Sequence, residues 1–195
     1  MSKIETLDFE INNLVKVLNK LKIFQKDLEK IINILVDCIN NKKKIFICGN
    51  GGSAAESEHL SAEFIVRLKP LNNRKPLPIF SLSQNSSVLT ACGNDYGFKY
   101  IFSRTLDAIG SRGDVLISLS TSGNSKNILS AINLAKKKKI KTISFLGFNG
   151  GKAKNVSDFF LIVESANVAI IQECHLFLGH YVLSEVEKKI FNLKN

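Results

Sequence analysis

The chain has 195 residues, of which 45% are hydrophobic, and it carries a formal net charge of +10. That length and composition fit one globular unit with a substantial buried core, and they exclude an intrinsically disordered protein. Its apolar stretches are short and interrupted by charge, and its start lacks the basic-then-apolar pattern of a secretory signal, so we expect a cytoplasmic protein with no membrane partner.

The first forty residues have the pattern of amphipathic helices. From Ile4 to Ile39 apolar residues recur at helical spacing, with no proline and no glycine between them. This segment is too short to form a core of its own, so we expect it to pack on a sheet or against another subunit. We therefore predict a helical oligomerisation segment at residues 1–41 and a single globular domain at residues 42–195.

Strands and helices alternate through the rest of the chain. The predicted strands are 43–48, 78–82, 114–119, 140–146 and 158–163, and the predicted helices are 54–67, about 86–92, 97–109, 125–138 and 168–191. Alternation with short connections is typical of a parallel sheet covered by helices on both faces. The sequence therefore predicts an α/β fold with a parallel five-stranded sheet, preceded by the amino-terminal helix pair.

The basic charge is mostly lysine and does not indicate a nucleic-acid partner. The densest run, Lys136–Lys139, lies where the fourth predicted helix of the alternating region ends, and cations are favourable at that end of a helix. No aromatic-interleaved basic stripe accompanies it, so we expect no nucleic-acid binding. The charge would instead raise the local concentration of an anionic substrate.

Two glycine- and serine-rich loops each follow an apolar strand and lead into a helix. The first is Cys48-Gly49-Asn50-Gly51-Gly52-Ser53, and the second is Ser120-Thr121-Ser122-Gly123-Asn124-Ser125. Such a loop exposes backbone N–H groups at the positive end of the helix dipole, where an anion can bind. The second loop offers hydroxyls and lacks the lysine of a nucleotide-binding P-loop. It therefore predicts a site for the phosphate of a small metabolite.

The first loop also fits a dinucleotide-binding pattern, Gly49-x-Gly51-x-x-Ala54. That site needs an acidic residue at the end of the next strand, for the ribose hydroxyls. Here the next strand ends in Ser83-Gln84-Asn85, which contains no carboxylate. The pattern alone is weak, and we prefer the phosphate site.

Two of the predicted helices carry candidate reactive side chains. His59 and Glu63 are four residues apart and share one helix face, which suits metal binding or proton transfer but also an ordinary surface pair with Arg67 as salt-bridge partner. On the last helix, Gln172 and His180 lie about 80° apart around the axis and can share a site, whereas His175 points away. The alternative is a hydrogen-bonded core histidine and an interface glutamine.

These motifs, taken together and in order, resemble those of bacterial phosphoheptose isomerases. The motifs are Cys48-Gly49-Asn50-Gly51-Gly52-Ser53-Ala54-Ala55; His59 with Glu63 and Arg67; Gly93-Asn94-Asp95-Tyr96-Gly97-Phe98; Phe102-Ser103-Arg104; Ser120–Ser125; and Ile171-Gln172-Glu173 with His175 and His180. The resemblance runs from about Lys43 to the end. It implies the sugar isomerase domain, a flavodoxin-like three-layer fold, in a cytoplasmic homotetramer with active sites at subunit interfaces.

The resemblance also implies a reaction and a role for each matching residue. The reaction is the conversion of sedoheptulose 7-phosphate to D-glycero-D-manno-heptose 7-phosphate, a precursor of lipopolysaccharide or capsule heptose. The implied acid/base pair is Glu63 and His180. The implied zinc ligands, for one ion per subunit, are His59, Glu63, Gln172 and His180. The implied phosphate contacts are Ser120, Thr121, Ser122 and Ser125, and the other substrate contacts are Asn50, Gly51, Gly52, Ser53, Glu63, Asn94, Asp95 and Gln172.

Two positions depart from the family pattern. Members commonly have aspartate where this chain has Asn85, and arginine where it has Ile170. The departures indicate either a charge pair lost together or a changed pocket. Two other functions stay open: a non-catalytic relative that binds a protein, like the replication-initiator-associating protein of the same fold, and a protein acting on or binding another phosphosugar. Retention of His59, Glu63, Gln172 and His180 favours the isomerase.

Overall fold

The computed structural model describes residues 6–193 and contains one five-stranded sheet. The strands lie in the order β2-β1-β3-β4-β5, and each hydrogen-bonded pair is parallel. Their bounds are Ile45–Gly49 for β1, Ile79–Ser81 for β2, Val115–Ser120 for β3, Lys141–Gly147 for β4 and Phe159–Val163 for β5. The predicted parallel α/β sheet is confirmed, and each strand bound differs from its prediction by at most two residues.

Seven helices surround the sheet in the described part of the chain. They are α1 (Leu7–Lys20), α2 (Gln25–Asn40), α3 (Gly52–Ile65), α4 (Ser86–Asp95), α5 (Ile101–Ile109), α6 (Lys126–Lys137) and α7 (Val168–Phe191). The helix predicted for 97–109 starts later than expected. Gly97 has φ +93°, and a short 3-10 turn over Phe98–Tyr100 precedes α5.

The two faces of the sheet are buried against different helices. Along β1, Ile45 and Ile47 join the core under α2, α3 and α7, whereas Phe46 and Cys48 join the core under α5 and α6. Successive side chains of a strand point to opposite faces, so a strand that is buried on both faces is apolar throughout. The result is the three-layer arrangement that the resemblance implied.

The two amino-terminal helices differ in how they pack. The apolar face of α2 lies in the same core as the sheet, through Leu28, Ile31, Ile32, Leu35 and Cys38. In contrast, α1 has no buried residue and exposes Leu7, Phe9, Ile11 and Val15. Residues 1–5 of the predicted segment lie outside the described range. The oligomerisation role of 1–41 and the boundary at residue 42 stay predictions.

Within residues 6–193, none of the helices combines the length and the apolar content that a membrane crossing requires.

The strand order reverses between β1 and β3, and this places the two predicted anion loops side by side. In open parallel sheets, ligands bind in the crevice beyond the carboxyl ends of the strands at such a reversal. A pair of amides joins the first loop to the start of α6, the helix that follows the second loop: Asn50 Nδ2 donates to Asn127 Oδ1 at 2.9 Å, and Asn127 Nδ2 donates to Asn50 Oδ1 at 2.7 Å. The sheet therefore presents both loops to one crevice.

Candidate functional site

The first loop turns sharply from β1 into α3. Gly51 is the N-cap of α3 and has φ +57°, a conformation that favours glycine. Gly52 is the first residue of the helix, and a Cβ there would lie only 2.8 Å from Gln172 Oε1. Glycine at residue 52 therefore lets the Gln172 side chain of α7 reach the loop.

The second loop is held by its own hydroxyls and by the segment after β4. Ser120 Oγ accepts a hydrogen bond from Gly123 N at 3.1 Å, and Ser122 Oγ accepts one from Asn124 N at 3.2 Å. Behind the loop, Ala153 N donates to Gly123 O at 2.9 Å. Ser125 is the N-cap of the twelve-residue α6, yet its side chain makes no capping hydrogen bond. This leaves the Ser125 hydroxyl free for a ligand at the helix N-terminus.

Helices α3 and α7 run side by side in the same direction. Gly52 is level with Gln172, Leu60 packs on Gly179, and Glu63 reaches His180, so residue numbers rise together along both helices. This arrangement brings side chains that are far apart in sequence to one point beyond the first loop.

His59, Glu63 and His180 form a cluster at that point. His59 Nε2 and His180 Nε2 are 3.0 Å apart, and the Glu63 carboxylate has one oxygen 3.5 Å from His59 Nε2 and the other 3.1 Å from His180 Nε2. The three side chains are 48%, 20% and 35% exposed in the order of their numbers. None of the ion pairs formed by residues 6–193 includes Arg67, so Glu63 faces the two histidines rather than that arginine.

The cluster offers side-chain ligands that could hold a metal ion. Its three candidate ligand atoms lie within 4.8 Å of one another. Glu63 Oε2 is buried and has no hydrogen-bond partner, because its approach to His180 Nε2 is close without the angle of a hydrogen bond. Two imidazole nitrogens and a carboxylate oxygen with unused lone pairs suit zinc. The residues present therefore fit the predicted ion.

Gln172 lies apart from this cluster within one chain. It is eight residues before His180, which corresponds to roughly 12 Å along α7. Its amide lies against Gly52 at the start of α3. The structure thus brings together three of the four predicted zinc ligands and places the fourth at the first anion loop.

Asn94 and Asp95 lie exposed at the end of α4, where Asn94 Nδ2 donates to Asp95 Oδ1 at 2.8 Å.

The two residues that depart from the family pattern, Asn85 and Ile170, both have structural roles. Asn85 is the N-cap of α4, and its Oδ1 accepts from Val88 N at 3.0 Å. Ile170 is 6% exposed and belongs to the core under α7. Neither position therefore leaves an unpaired charge.

His175 and Glu56 are buried titratable groups beside the site. His175 is fully buried with Nε2 3.1 Å from Leu146 O, and burial lowers its pKa from 6.5 to about 4. Glu56 is 9% exposed, and burial raises its pKa from 4.5 to about 7, partly offset by a hydrogen bond from Ser53. Glu56 received no role from the sequence, although it lies seven residues before Glu63 and so on the same helix face.

Comparison with known proteins assigns the chain to a family. The SIS domain family model matches residues 11–147. The phosphoheptose isomerase of Clostridium acetobutylicum is 47% identical over 169 residues, covering 87% of this chain and 85% of that protein. The phosphoheptose isomerase structure from Neisseria gonorrhoeae has a TM-score of 0.87 at 33% identity and covers 93% of this chain and 97% of its own. That from Francisella tularensis has a TM-score of 0.84 at 31% identity, with 94% and 100% covered.

The matches to phosphoheptose isomerases extend over most of the chain in sequence and over more than nine-tenths of it in structure. We conclude that the chain belongs to the phosphoheptose isomerase family of SIS-domain proteins.

Proposed function

We propose that this chain interconverts sedoheptulose 7-phosphate and D-glycero-D-manno-heptose 7-phosphate by proton transfer through an enediol. The observation that carries the proposal is the meeting of Glu63 and His180, 3.1 Å apart, beyond a pair of anion loops at the strand-order reversal. His59 and Glu63 lie seven and eleven residues after Gly52, or roughly 10–16 Å along α3. An extended seven-carbon sugar phosphate is of similar length, so its sugar can run past the first loop to the cluster while its phosphate lies in the crevice that both loops border.

The phosphate end is assigned to the second loop. Ser120, Thr121, Ser122 and Ser125 offer hydroxyls, and the N-terminus of α6 adds backbone N–H groups and the positive end of its dipole. Asn50, Gly51, Gly52 and Ser53 of the first loop would contact the sugar backbone, together with Asn94 and Asp95. Anchoring the phosphate orients the C1–C2 end toward the cluster, which lowers the entropy cost of the reaction.

Proton transfer is assigned to Glu63 and His180. The Glu63 carboxylate removes a proton from C1 of the ketose and returns it to C2 of the aldose, while His180 moves the hydroxyl proton from O1 to O2. The intermediate carries a developing oxyanion that needs stabilisation. His59, Glu63 and His180, with Gln172 as the fourth ligand implied by the resemblance, would hold zinc, and the ion would supply that stabilisation as a Lewis acid.

The assembly and the cellular setting are part of the same proposal. Two features support a homotetramer with active sites at subunit interfaces: α1 exposes a row of apolar side chains, and Gln172 lies too far from the cluster to complete it within one chain. The cytoplasm as the location, and heptose synthesis for lipopolysaccharide or capsule as the pathway, follow from the family resemblance.

Incubation with sedoheptulose 7-phosphate in deuterated water tests the activity. We expect the aldose heptose 7-phosphate to appear in the NMR spectrum with deuterium at C2, because the proton held on the Glu63 carboxyl exchanges with solvent deuterium before it is returned to the substrate. A protein that binds the ketose without forming aldose would be the non-catalytic relative. Turnover of a different ketose phosphate alone would instead identify another phosphosugar as the substrate.

The phosphate assignment predicts a change in KM when hydroxyls are removed from the second loop. In the double variant Ser122→Ala/Ser125→Ala, we expect KM to rise about tenfold or more, because hydrogen bonds to a charged group contribute roughly 1.5–3 kcal/mol each. Ser111→Ala is the matched control, since Ser111 is exposed at the opposite end of β3. Steady-state kinetics check this, and equal KM values for the double variant and wild type would remove the loop from the site.

A further inference from the structure

A buried ion pair outside the proposed site joins the end of α3 to α7. Arg74, in the segment between α3 and β2, and Glu187 of α7 have side chains that are each 1% exposed. Arg74 Nε and Nη2 both lie 2.5 Å from Glu187 Oε1. A buried guanidinium is costly unless its remaining donors are also used, so the other contacts of Arg74 indicate what the pair holds.

The remaining donors of Arg74 bind backbone carbonyls at the end of α3. Nη2 donates to Glu63 O and Nη1 donates to Phe64 O, each at 2.8 Å, and Nη1 also donates to Lys75 O at 3.0 Å. Carbonyls in the last turn of a helix have no partner within the helix, and a cation there is favoured by the dipole. Arg74 therefore fixes the backbone of the turn that carries Glu63.

Glu187 extends this hold to the helix that carries His180. It lies seven residues after His180, two turns along the same face of α7. Glu63 is thus held on both sides: its carbonyl binds Arg74, which binds Glu187, and its carboxylate lies 3.1 Å from His180 Nε2. These contacts form a closed ring that joins the two helices at the level of the cluster.

We propose that Arg74 and Glu187 are positioning residues that set the separation of Glu63 from His180 and His59. They touch neither substrate nor metal in this assignment and act through the backbone of α3. The proposal rests on the proposed isomerase function. It predicts that loss of the pair lowers kcat and weakens metal binding at the cluster while leaving KM nearly unchanged, because the phosphate loop lies on β3 and α6.

The decisive variant replaces both partners. Arg74→Met/Glu187→Leu leaves no unpaired buried charge, and such apolar replacements of buried pairs commonly fold well. It nevertheless removes the hydrogen bonds to Glu63 O and Phe64 O. We expect kcat to fall by about tenfold to a hundredfold, since small misplacements of a catalytic group have effects of that order. Arg74→Lys keeps the positive charge but not the planar guanidinium group, so its kcat should lie between that of the double variant and that of wild type.

Asp114→Asn is the control variant, because it should lower the stability of the fold without changing the position of Glu63 relative to the two histidines. Asp114 is fully buried at the amino end of β3, where its carboxylate accepts from Lys44 N at 2.9 Å and Ser111 N at 2.8 Å. Asp114 lies at the amino ends of the strands, whereas the cluster lies beyond their carboxyl ends. We expect a lower Tm for this variant and an unchanged kcat.

Titration with Co²⁺, followed by visible absorption, gives a readout that does not depend on turnover. We expect the double variant to bind Co²⁺ at least tenfold more weakly than wild type and the Asp114→Asn variant to bind it normally. A folded double variant with wild-type kcat and wild-type Co²⁺ affinity would overturn the positioning role. If wild type fails to convert sedoheptulose 7-phosphate, the proposed function falls, and the Co²⁺ titration still decides whether the pair positions the cluster.

Discussion

Glu63→Gln is expected to lower kcat by about 10²–10⁴-fold, the usual contribution of general acid–base catalysis, while folding and phosphosugar binding are retained. Glutamine keeps the size of the side chain, but it cannot accept the proton from C1. The position is only 20% exposed and lies between two imidazoles, so solvent offers no ready substitute for the missing base. Deuterium incorporation at C2 should fall in parallel with kcat, since both depend on the same proton transfer.

A second variant separates the role of Glu63 as base from its role as metal ligand. His59→Gln removes a proposed ligand and leaves both Glu63 and His180 in place. We expect metal content to fall in both variants, but only Glu63→Gln should abolish proton exchange at C1 when metal is supplied in excess. Circular dichroism and substrate binding serve as controls for folding. A Glu63→Gln enzyme that turns over as fast as wild type would show that another group is the base.

Glu56→Gln is expected to stabilise the protein at pH 8 by roughly 3 kcal/mol and to have little effect near pH 4.5. Burial raises the pKa of Glu56 from 4.5 to about 7 in the folded state. Between these values the folded state holds a proton that the unfolded state has released, so stability falls as pH rises, and the full penalty is present above pH 7. Glutamine resembles the protonated acid and carries no such penalty.

The measurement is the difference in unfolding free energy between variant and wild type, from urea titrations at pH 5 and pH 8. Differences are needed because His175, with its pKa lowered to about 4, acts in the opposite direction and destabilises the fold as pH falls below 6.5. Glu58→Gln is the matched control, as Glu58 is exposed on the same helix. An equal effect of Glu56→Gln at both pH values would contradict a raised pKa.

Local patterns in the sequence predicted the elements and the loops well. Strand patterns located β1 to β5, and the glycine-rich turns located the two glycine- and serine-rich loops, because each of these signals lies within a few consecutive residues. The late start of α5 had a local signal as well, Gly97, whose positive φ separates it from α4. The pairing of His59 with Glu63 was likewise local, being a matter of helical spacing.

The features that depend on packing between distant segments were not predictable from pattern. The approach of His180 to Glu63 required the family resemblance, since 117 residues separate them. The distance of Gln172 from His180 follows from helix rise alone, but the place of the Gln172 amide beside Gly52 depends on how α7 packs on α3. The burial of Glu56 and the Arg74–Glu187 pair have no signature in their neighbouring residues, because their surroundings come from other elements.

The reciprocal amide pair of Asn50 and Asn127 has a consequence for how ligands are captured. Within the pair each side chain gives one hydrogen bond and receives one, so the first loop and the start of α6 cannot move apart without breaking both bonds. The pair therefore holds the first loop against α6 before any sugar arrives, and this restraint lowers the entropy cost of binding. The amide pair would thus raise the affinity for substrate through a restraint on the site, without an added contact to the substrate. This gain would be lost if either asparagine were replaced by a side chain that cannot both donate and accept a hydrogen bond.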